Sequence, residues 1–132
     1  MPSDHDLIIT DVDLERLRPV VEQSDSPAAE ALDGELRRAV IVPQRDVPSD
    51  VVTMNRDVVY ADSATGVQRT VRVVVPHQAD PARRWVSVLA PIGRTLLGLR
   101  IGQEAELQMP NGHRRIRVIE LPRETEAVSE LH

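Results

Sequence analysis

Apolar side chains near the start of the chain recur at the spacing of an amphipathic helix. The apolar residues on one helical face are Leu14, Leu17 and Val21. Thr10 followed by Asp13 resembles a capping box, which satisfies free amide groups at a helix start. The pattern predicts a first helix over residues 10–23. Pro19 removes one hydrogen bond inside this helix, so we expect a bend near Arg18.

A second stretch of helical spacing follows a short polar turn. Ser26 can cap a helix whose first residue is Pro27 and which runs to about Val40. The residues on its apolar face are Ala28, Leu32, Leu36 and Val40. A short connection makes the two helices antiparallel neighbours. We therefore expect a short N-terminal antiparallel helical hairpin, followed by a linker marked by Pro43 and Pro48.

From Asp50 onward the pattern changes from helical to alternating, which indicates β-strands. Strands are predicted over residues 51–61 and 67–76, joined by a turn over 62–66. The valines expected on the inner face of the second strand are Val67, Val71, Val73 and Val75. One apolar face and one polar face are typical of a half-buried antiparallel hairpin.

The following stretch predicts three more strands and one short helix. A third strand covers residues 85–89, and a helix runs from Pro91 to a stop at Gly98. Asn-Gly at 111–112 is the strongest local hairpin signal. The strands that flank it cover residues 104–109 and 114–121. The inward residues of the first of these strands would be Ala105, Leu107 and Met109.

These elements together predict an α+β fold in two parts. Residues 1–47 would form the helical hairpin and its linker, and residues 48–132 an antiparallel β-sheet domain with one short helix. The tail from Pro122 is polar and acidic, and we expect it to be loose.

The composition removes several kinds of chemistry. The chain has no cysteine, which excludes disulfides, thiolate nucleophiles and cysteine-based zinc sites. All 16 basic residues are arginine, so a phosphate-loop lysine and a Schiff-base lysine are excluded. The four scattered histidines are His5, His77, His113 and His132. An enzyme would have few reactive groups here, and we expect no catalysis, no metal and no cofactor.

Hydropathy and the first residues favour a cytoplasmic protein. No apolar run approaches the roughly 20 residues that a membrane-spanning helix requires. The chain starts with acids where a secretory signal would carry positive charge and an apolar stretch. We therefore expect no contact with a membrane.

Charge is distributed unevenly along the chain. Residues 1–50 hold 12 acids and 5 arginines, whereas residues 51–132 hold 9 acids and 11 arginines. Because the whole chain carries a net charge of −5, DNA would meet an unfavourable long-range field. The arginines clustered on the last strand are Arg114, Arg115 and Arg117. We expect them to pair with Glu104 and Glu106 on the neighbouring strand, and we expect no direct DNA binding.

A motif in the second half of the chain resembles that of a known family. Residues 90–105 read Ala-Pro-Ile-Gly-Arg-Thr-Leu-Leu-Gly-Leu-Arg-Ile-Gly-Gln-Glu-Ala. This is similar to the Pro-(Leu/Ile)-Gly-Arg-x-Leu-Leu-Gly-x-x-x-Gly signature in the C-terminal domain of bacterial transcript-cleavage (Gre) factors. Val-Val-Thr-Met-Asn at 51–55 adds to the resemblance, which covers residues 48–121. It implies an FKBP-like sheet domain.

Within that superfamily the chain is similar to the regulators of nucleoside diphosphate kinase, which also join a short helical hairpin to this domain. The resemblance implies a protein that binds RNA polymerase at its secondary channel and affects nucleoside diphosphate kinase levels indirectly. The docking loop implied by the resemblance consists of Ala90, Pro91, Ile92, Gly93 and Arg94. Helix initiation at Pro91 is the alternative account of the same residues.

The hairpin departs from the Gre pattern. Gre factors insert a long coiled coil whose acidic tip supports a magnesium ion during transcript cleavage. Each arm predicted here reaches only about 20 Å, and the acids around its tip are Glu22, Asp25 and Glu30. Cleavage is not expected, because magnesium requires several ordered oxygen ligands beside the reacting phosphate. The acids could compete with Gre factors in the channel mouth, or form an ordinary solvated helix end.

Two other functions stay open. The FKBP-like fold suggests a prolyl isomerase, but such pockets depend on aromatic walls, and Tyr60 and Trp85 are the only aromatic residues. The apolar face of the predicted β-hairpin could instead pair with a second copy, which would make the protein a dimerisation module.

Overall fold

The first helix lies where the sequence predicts it. The computed structural model describes residues 7–122, and helix α1 spans Asp11–Glu22. The Thr10 hydroxyl accepts the amide of Asp13 at 3.0 Å, which confirms the expected cap. The helix continues through Pro19. The bend expected near Arg18 stays a prediction.

The second helix, α2, spans Pro27–Arg38 and begins at the predicted cap, because the Ser26 hydroxyl accepts the amide of Ala29 at 3.1 Å. It ends two residues before the predicted Val40, because that residue begins a strand. Strand β2 (Val40–Val42) pairs in parallel with strand β1 (Ile8–Thr10). The sequence pattern predicts neither strand.

A five-stranded sheet and one short helix form the rest of the described chain. The strands are β3 (Asp57–Asp62), β4 (Gln68–Val74), β5 (Trp85–Ser87), β6 (Glu104–Met109) and β7 (Gly112–Glu120). Their order in the sheet is β5-β4-β3-β7-β6. Helix α3 spans Pro91–Leu96. The predicted α+β class, with a helical hairpin before a sheet that carries one short helix, is confirmed. The tail after Pro122 lies outside the described residues.

The strand predicted over residues 51–61 is wrong in its first half. Its apolar residues are buried, but the amide of Val52 donates to the Leu99 carbonyl at 2.8 Å instead of joining the sheet. Asn55 adopts a left-handed conformation with φ 63°, which ends the extended segment. The sheet therefore receives this part of the chain only from Asp57 onward.

The prediction of a wholly antiparallel sheet is also wrong at one edge. Strand β5 pairs in parallel with β4, with Trp85 opposite Arg72. Residues 75–84 make the necessary crossover through two single turns of 3-10 helix. Strand β5 ends at Ser87, earlier than the predicted residue 89.

Two residues predicted on the inner face are exposed. Val67 is 51% exposed and Met109 is 46% exposed. Val67 lies just before β4, and Met109 is the last residue of β6, so both stand beside turns. The middle of each strand follows the prediction, since Val73 is fully buried and Leu107 is 6% exposed.

One hydrophobic core joins the hairpin to the sheet. Leu17 from α1 and Leu32 from α2 are fully buried in the same cluster as Met54, Val73 and Leu96. The hairpin is thus packed directly on the rest of the protein. The division of the chain after residue 47 into two domains stays a prediction.

Candidate partner-binding surface

The predicted docking loop begins with a turn held by hydrogen bonds. The amide of Leu89 donates to the Ser87 hydroxyl at 3.0 Å, and the amide of Ala90 donates to the Ser87 carbonyl at 3.0 Å. Pro91 then occupies the first turn of α3 and is exposed. The Thr95 hydroxyl donates to the Pro91 carbonyl at 2.7 Å. Pro91 is therefore presented to solvent on a fixed turn.

Ile92 and Gly93 take part in the packing of α3. Ile92 is half-buried against the hydrophobic core. Gly93 is buried, and a Cβ atom at this position would overlap the Ser87 carbonyl oxygen and lie 3.0 Å from the Cα atom of Val88. Glycine allows α3 to lie directly on β5. The packing of Ile92 and Gly93 therefore explains the position of α3 without any contact to a partner protein.

Arg94 links the loop to the helical hairpin. Its Nη1 atom donates to the Leu89 carbonyl at 2.7 Å, so the side chain folds back over the turn before Pro91. It also lies near Glu35 of α2. Burial raises the pKa of the Glu35 carboxyl, and the positive charges of Arg94 and Arg38 oppose that rise.

The second half of the signature serves the core and the first strand. Leu96, Leu97 and Leu99 are buried. Gly98 has φ +86°, and its carbonyl accepts the amide of Ile8 at 3.2 Å. A side chain at this position would be strained and would press on the Ile8 carbonyl at 3.3 Å. These residues therefore hold β1 in place.

The predicted acidic tip is exposed at the end of the hairpin, where α1 and α2 are joined. Glu22, Asp25 and Glu30 all face solvent. The turn itself is ordered by the hydroxyl groups of Ser24 and Ser26, which lie 2.9 Å apart. The three acids are thus carried on a defined end of the hairpin.

A groove lies between α1, the segment after β4 and the turn before α3. Its volume is about 530 Å³. The residues that line it are Arg16, Pro19, Val20, Gln23, Ser24, Val75, Pro76, His77 and Leu89. Ser24 precedes the tip residue Asp25, and Leu89 precedes the loop residue Ala90. The groove therefore reaches sequence neighbours of the tip and of the loop, but no predicted contact residue lines it.

The sequence indicates Asp13 only as part of a helix cap, but in the structure it makes a further contact. Asp13 is 1% exposed, and its Oδ2 atom accepts the amide of Met54 at 2.9 Å. Arg16 donates to the Oδ1 atom at 3.1 Å. Burial raises the pKa of the Asp13 carboxyl, while these two donors oppose the rise. The only feature of the sequence that could have indicated this buried contact is the position of an acidic residue within an amphipathic helical pattern.

The basic cluster on β7 is engaged in ion pairs. Arg117 contacts Glu104 at 3.0 Å and Arg115 contacts the same carboxylate at 3.8 Å, which confirms the expected cross-strand pairing. Arg114 pairs with Asp62 at 2.6 Å. Hydrogen bonds from Arg117 and Arg114 lower the pKa values of Glu104 and Asp62, respectively. The expected pairing of Glu106 with these arginines is wrong, because its carboxylate instead lies 3.2 Å from His113.

The sheet also has an open concave surface of about 400 Å³ near its turns. The residues that line it are Tyr60, Asp62, Thr65, Val67, Arg69, Leu107, Met109, Arg114 and Ile116. Over residues 7–122, no three histidine or acidic side chains are grouped closely enough to hold a metal ion. No helix in that part of the chain is long and apolar enough to cross a membrane.

Comparison with known proteins identifies the family. The family described as "Transcription elongation factor, GreA/GreB, C-term" matches residues 47–123. The chain belongs to the GreA/GreB family. A second family, described as "Rnk N-terminus", matches residues 6–42, so this GreA/GreB-family protein carries the Rnk type of helical hairpin.

Similarity to individual relatives differs in extent. The "Regulator of nucleoside diphosphate kinase" of Escherichia coli strain K12 is 36% identical over 128 residues, which cover 94% of each chain. The "Transcription elongation factor GreA" of Geobacillus kaustophilus is 31% identical over 88 residues, which cover 67% of this chain but only 56% of that protein. The first similarity therefore includes the hairpin, whereas the second spans about half of the relative.

A solved structure supports the same assignment. The "Prokaryotic transcription elongation factor GreA/GreB from Nitrosomonas europaea" superposes with a TM-score of 0.75 and 34% identity, and the match covers 89% of this chain and 98% of that one. These relatives are named as regulators or transcription factors. The family and fold indicate a Gre-like transcription factor role for the GreA/GreB-family protein described here.

Proposed function

We propose that this protein binds RNA polymerase at the secondary channel and regulates transcription without cleaving the transcript. The observation that carries the proposal is the combination of a Gre-type C-terminal domain with a short hairpin. The family match covers residues 47–123, while α1 and α2 contain only 12 residues each. The C-terminal domain would supply docking, and the short hairpin would limit how far the protein reaches into the channel.

The exposed docking surface supports the first part of the proposal. Pro91 stands on a turn that is already held by Ser87 and Arg94, so binding would require little ordering of the backbone. Ala90 and Ile92 flank Pro91 and are partly exposed. Gly93 would act indirectly, by keeping α3 close to β5.

The length of the hairpin supports the second part. Twelve helical residues extend about 18 Å, which is much shorter than a Gre coiled coil. Asp25 is the single acid in the turn between the helices, with Glu22 and Glu30 on separate helices. Cleavage would require carboxylates that bring an ordered magnesium ion to the reacting phosphate. The protein would therefore occupy the channel mouth without the catalytic group.

Antagonism of Gre factors follows from a shared site. Two proteins that dock on the same part of the polymerase exclude each other, and the acidic tip would take the electrostatic position that another acidic tip needs. Changes in nucleoside diphosphate kinase levels would then be an indirect result of altered transcription. The protein would act in the cytoplasm, where the polymerase works, without catalytic activity of its own.

A paired charge substitution tests the docking surface. Pro91→Glu adds one negative charge at the start of α3, where a helix accepts an acid well. Val12→Glu adds the same charge in the first turn of α1, at a side chain that is 38% exposed. Affinity for purified bacterial core RNA polymerase is measured by fluorescence anisotropy. We expect Pro91→Glu to weaken binding by at least about tenfold, or about 1.4 kcal/mol, and Val12→Glu to bind like the natural protein.

Equal binding by both variants would contradict the assignment of the docking surface. No binding by the natural protein would contradict the proposed function itself. Circular dichroism of each variant would confirm that α3 and the sheet are intact.

A further inference from the structure

Asp13 stands at the junction between the helical hairpin and the sheet. It belongs to the first turn of α1, yet its carboxylate accepts the amide of Met54, which lies 41 residues later in the chain. The side chain is 1% exposed, and Thr10 beside it is fully buried. Burying a carboxylate costs folding free energy unless its hydrogen bonds are retained, so the bond to the amide of this distant segment is needed in the folded protein.

A second attachment joins the strand before α1 to the other motif. The amide of Ile8 in β1 donates to the Gly98 carbonyl at 3.2 Å, and the amide of Gly98 donates to the Val52 carbonyl at 3.0 Å. Chain segments from both motifs that carry the family resemblance therefore meet the start of α1. Two separate attachment points restrict rotation of the helix more strongly than one.

We propose that Asp13 is a positioning residue that fixes the direction in which the hairpin leaves the sheet. The proposal rests on the proposed function, because a fixed direction sets the distance between the acidic tip and the docking loop at Pro91. Two linked contacts bind together only when their separation matches the separation on the partner. Loss of the Met54 contact would leave the hairpin attached through the core residues Leu17 and Leu32, but its direction would become variable.

The alternative is that Asp13 serves stability alone. In that case its removal would lower the melting temperature but leave one hairpin direction in the molecules that remain folded. A distance measurement separates the two accounts, because it reports on the folded population. The absence of cysteine in the chain allows two introduced cysteines to carry the only labels.

The labels are placed at two exposed alanines. Ala31→Cys marks α2 near the tip, and Ala64→Cys marks the turn between β3 and β4. Double electron–electron resonance then gives the distribution of distances between the labels. The measurement is made on the otherwise natural chain, on Asp13→Ala, on Asp13→Asn, and on Val118→Ala. Val118 is a fully buried residue of β7 that takes part in neither attachment, so its substitution lowers stability without removing the Asp13 or Gly98 contacts.

We expect one narrow distribution for the natural chain and for Val118→Ala. Asp13→Asn keeps an oxygen that can accept a hydrogen bond from the Met54 amide, so its distance distribution should be nearly as narrow as that of the natural chain. Asp13→Ala should broaden the distribution and lower affinity for core RNA polymerase. If only a tenth of its molecules hold the productive direction, the apparent affinity falls about tenfold. If Asp13→Ala does not fold, Asp13→Ser replaces it in the same series.

A distribution for Asp13→Ala that is as narrow as that of Val118→Ala would overturn the proposal. A broad distribution with unchanged polymerase affinity would overturn its functional part. If the natural chain bound no polymerase while Asp13→Ala still broadened the distribution, the positioning role would hold and the proposed function would fail. The two ideas are therefore tested separately.

Discussion

Gly93 and Gly98 show why two glycines of one signature serve different purposes. Gly93 has no space for a side chain, because β5 lies directly against it. Gly98 instead needs a positive φ and a close approach to β1. The sequence indicated Gly98 as a helix stop, because a glycine that follows an apolar helical segment commonly ends the helix. The role of Gly93 depends on Ser87 in a neighbouring strand and could not be predicted from local pattern.

Substitution of Gly93 by alanine should destabilise the protein. The added methyl group must displace α3 from β5, which costs about 1–3 kcal/mol as overpacking. Gly34→Ala is the matched control, because its new Cβ atom would meet only the Arg38 side chain, at 3.5 Å. In a helix this change should stabilise the protein by about 0.4–1 kcal/mol. Urea unfolding measures both, and equal effects of the two substitutions would refute the packing account.

Asp13 should also make stability depend on pH in a definite direction. Burial raises the pKa of its carboxyl above the ordinary 3.8, so the folded state holds this proton more tightly than the unfolded state. The resulting stabilisation is present below pH 3.8 and is lost as pH rises through the raised folded value. Asp13→Asn removes this titration. The free energy of unfolding of Asp13→Asn, relative to the natural protein, should therefore increase as pH rises from acid to neutral.

The pH comparison is made by urea unfolding at constant ionic strength. Asp62 and Glu104 have lowered pKa values, so their contributions are lost as pH falls through those values, in both proteins alike. The contributions of these two residues therefore cancel when the free energy of unfolding of the natural protein is subtracted from that of Asp13→Asn. A difference that stays constant with pH would mean that Asp13 has no raised pKa in the folded protein.

At the scale of elements, the long periodic segments were predictable and the short ones were not. Helices α1 and α2 were found from their caps and apolar faces, and the hairpin of β6 and β7 was found from its Asn-Gly turn. Strands β1 and β2 have three residues each, too few for an alternating pattern. The apolar residues of the 51–55 segment indicated a strand. They are buried, but their backbone groups form hydrogen bonds outside the sheet.

The cap of α2 gives a prediction at this scale. Ser26→Ala removes the hydroxyl that accepts the amide of Ala29, and it should cost about 1 kcal/mol of stability. Ser26→Asp keeps an acceptor at the same position and should recover most of that loss. Thermal unfolding followed by circular dichroism measures both variants. If Ser26→Asp were as unstable as Ser26→Ala, the cap would not explain where α2 begins.

At the scale of the whole molecule, the hairpin and the sheet share one core. The two halves of the chain differ in net charge, but charge at the surface does not report on packing beneath it. Leu17, Leu32 and Asp13 attach the hairpin to residues of the second half. The sequence shows which faces are apolar, whereas their assembly into one body depends on contacts between distant segments. The exposed loop and tip are thereby carried on a single body.

The measurement that tests the central claim most directly is competition for purified core RNA polymerase. The protein, labelled at an introduced cysteine, is titrated with the polymerase at several fixed concentrations of a Gre factor. A shared secondary-channel site predicts that the apparent dissociation constant rises linearly with the concentration of the competitor, starting from its value without competitor. Binding of both proteins at the same time, or no binding of this protein at micromolar concentrations, would contradict the account.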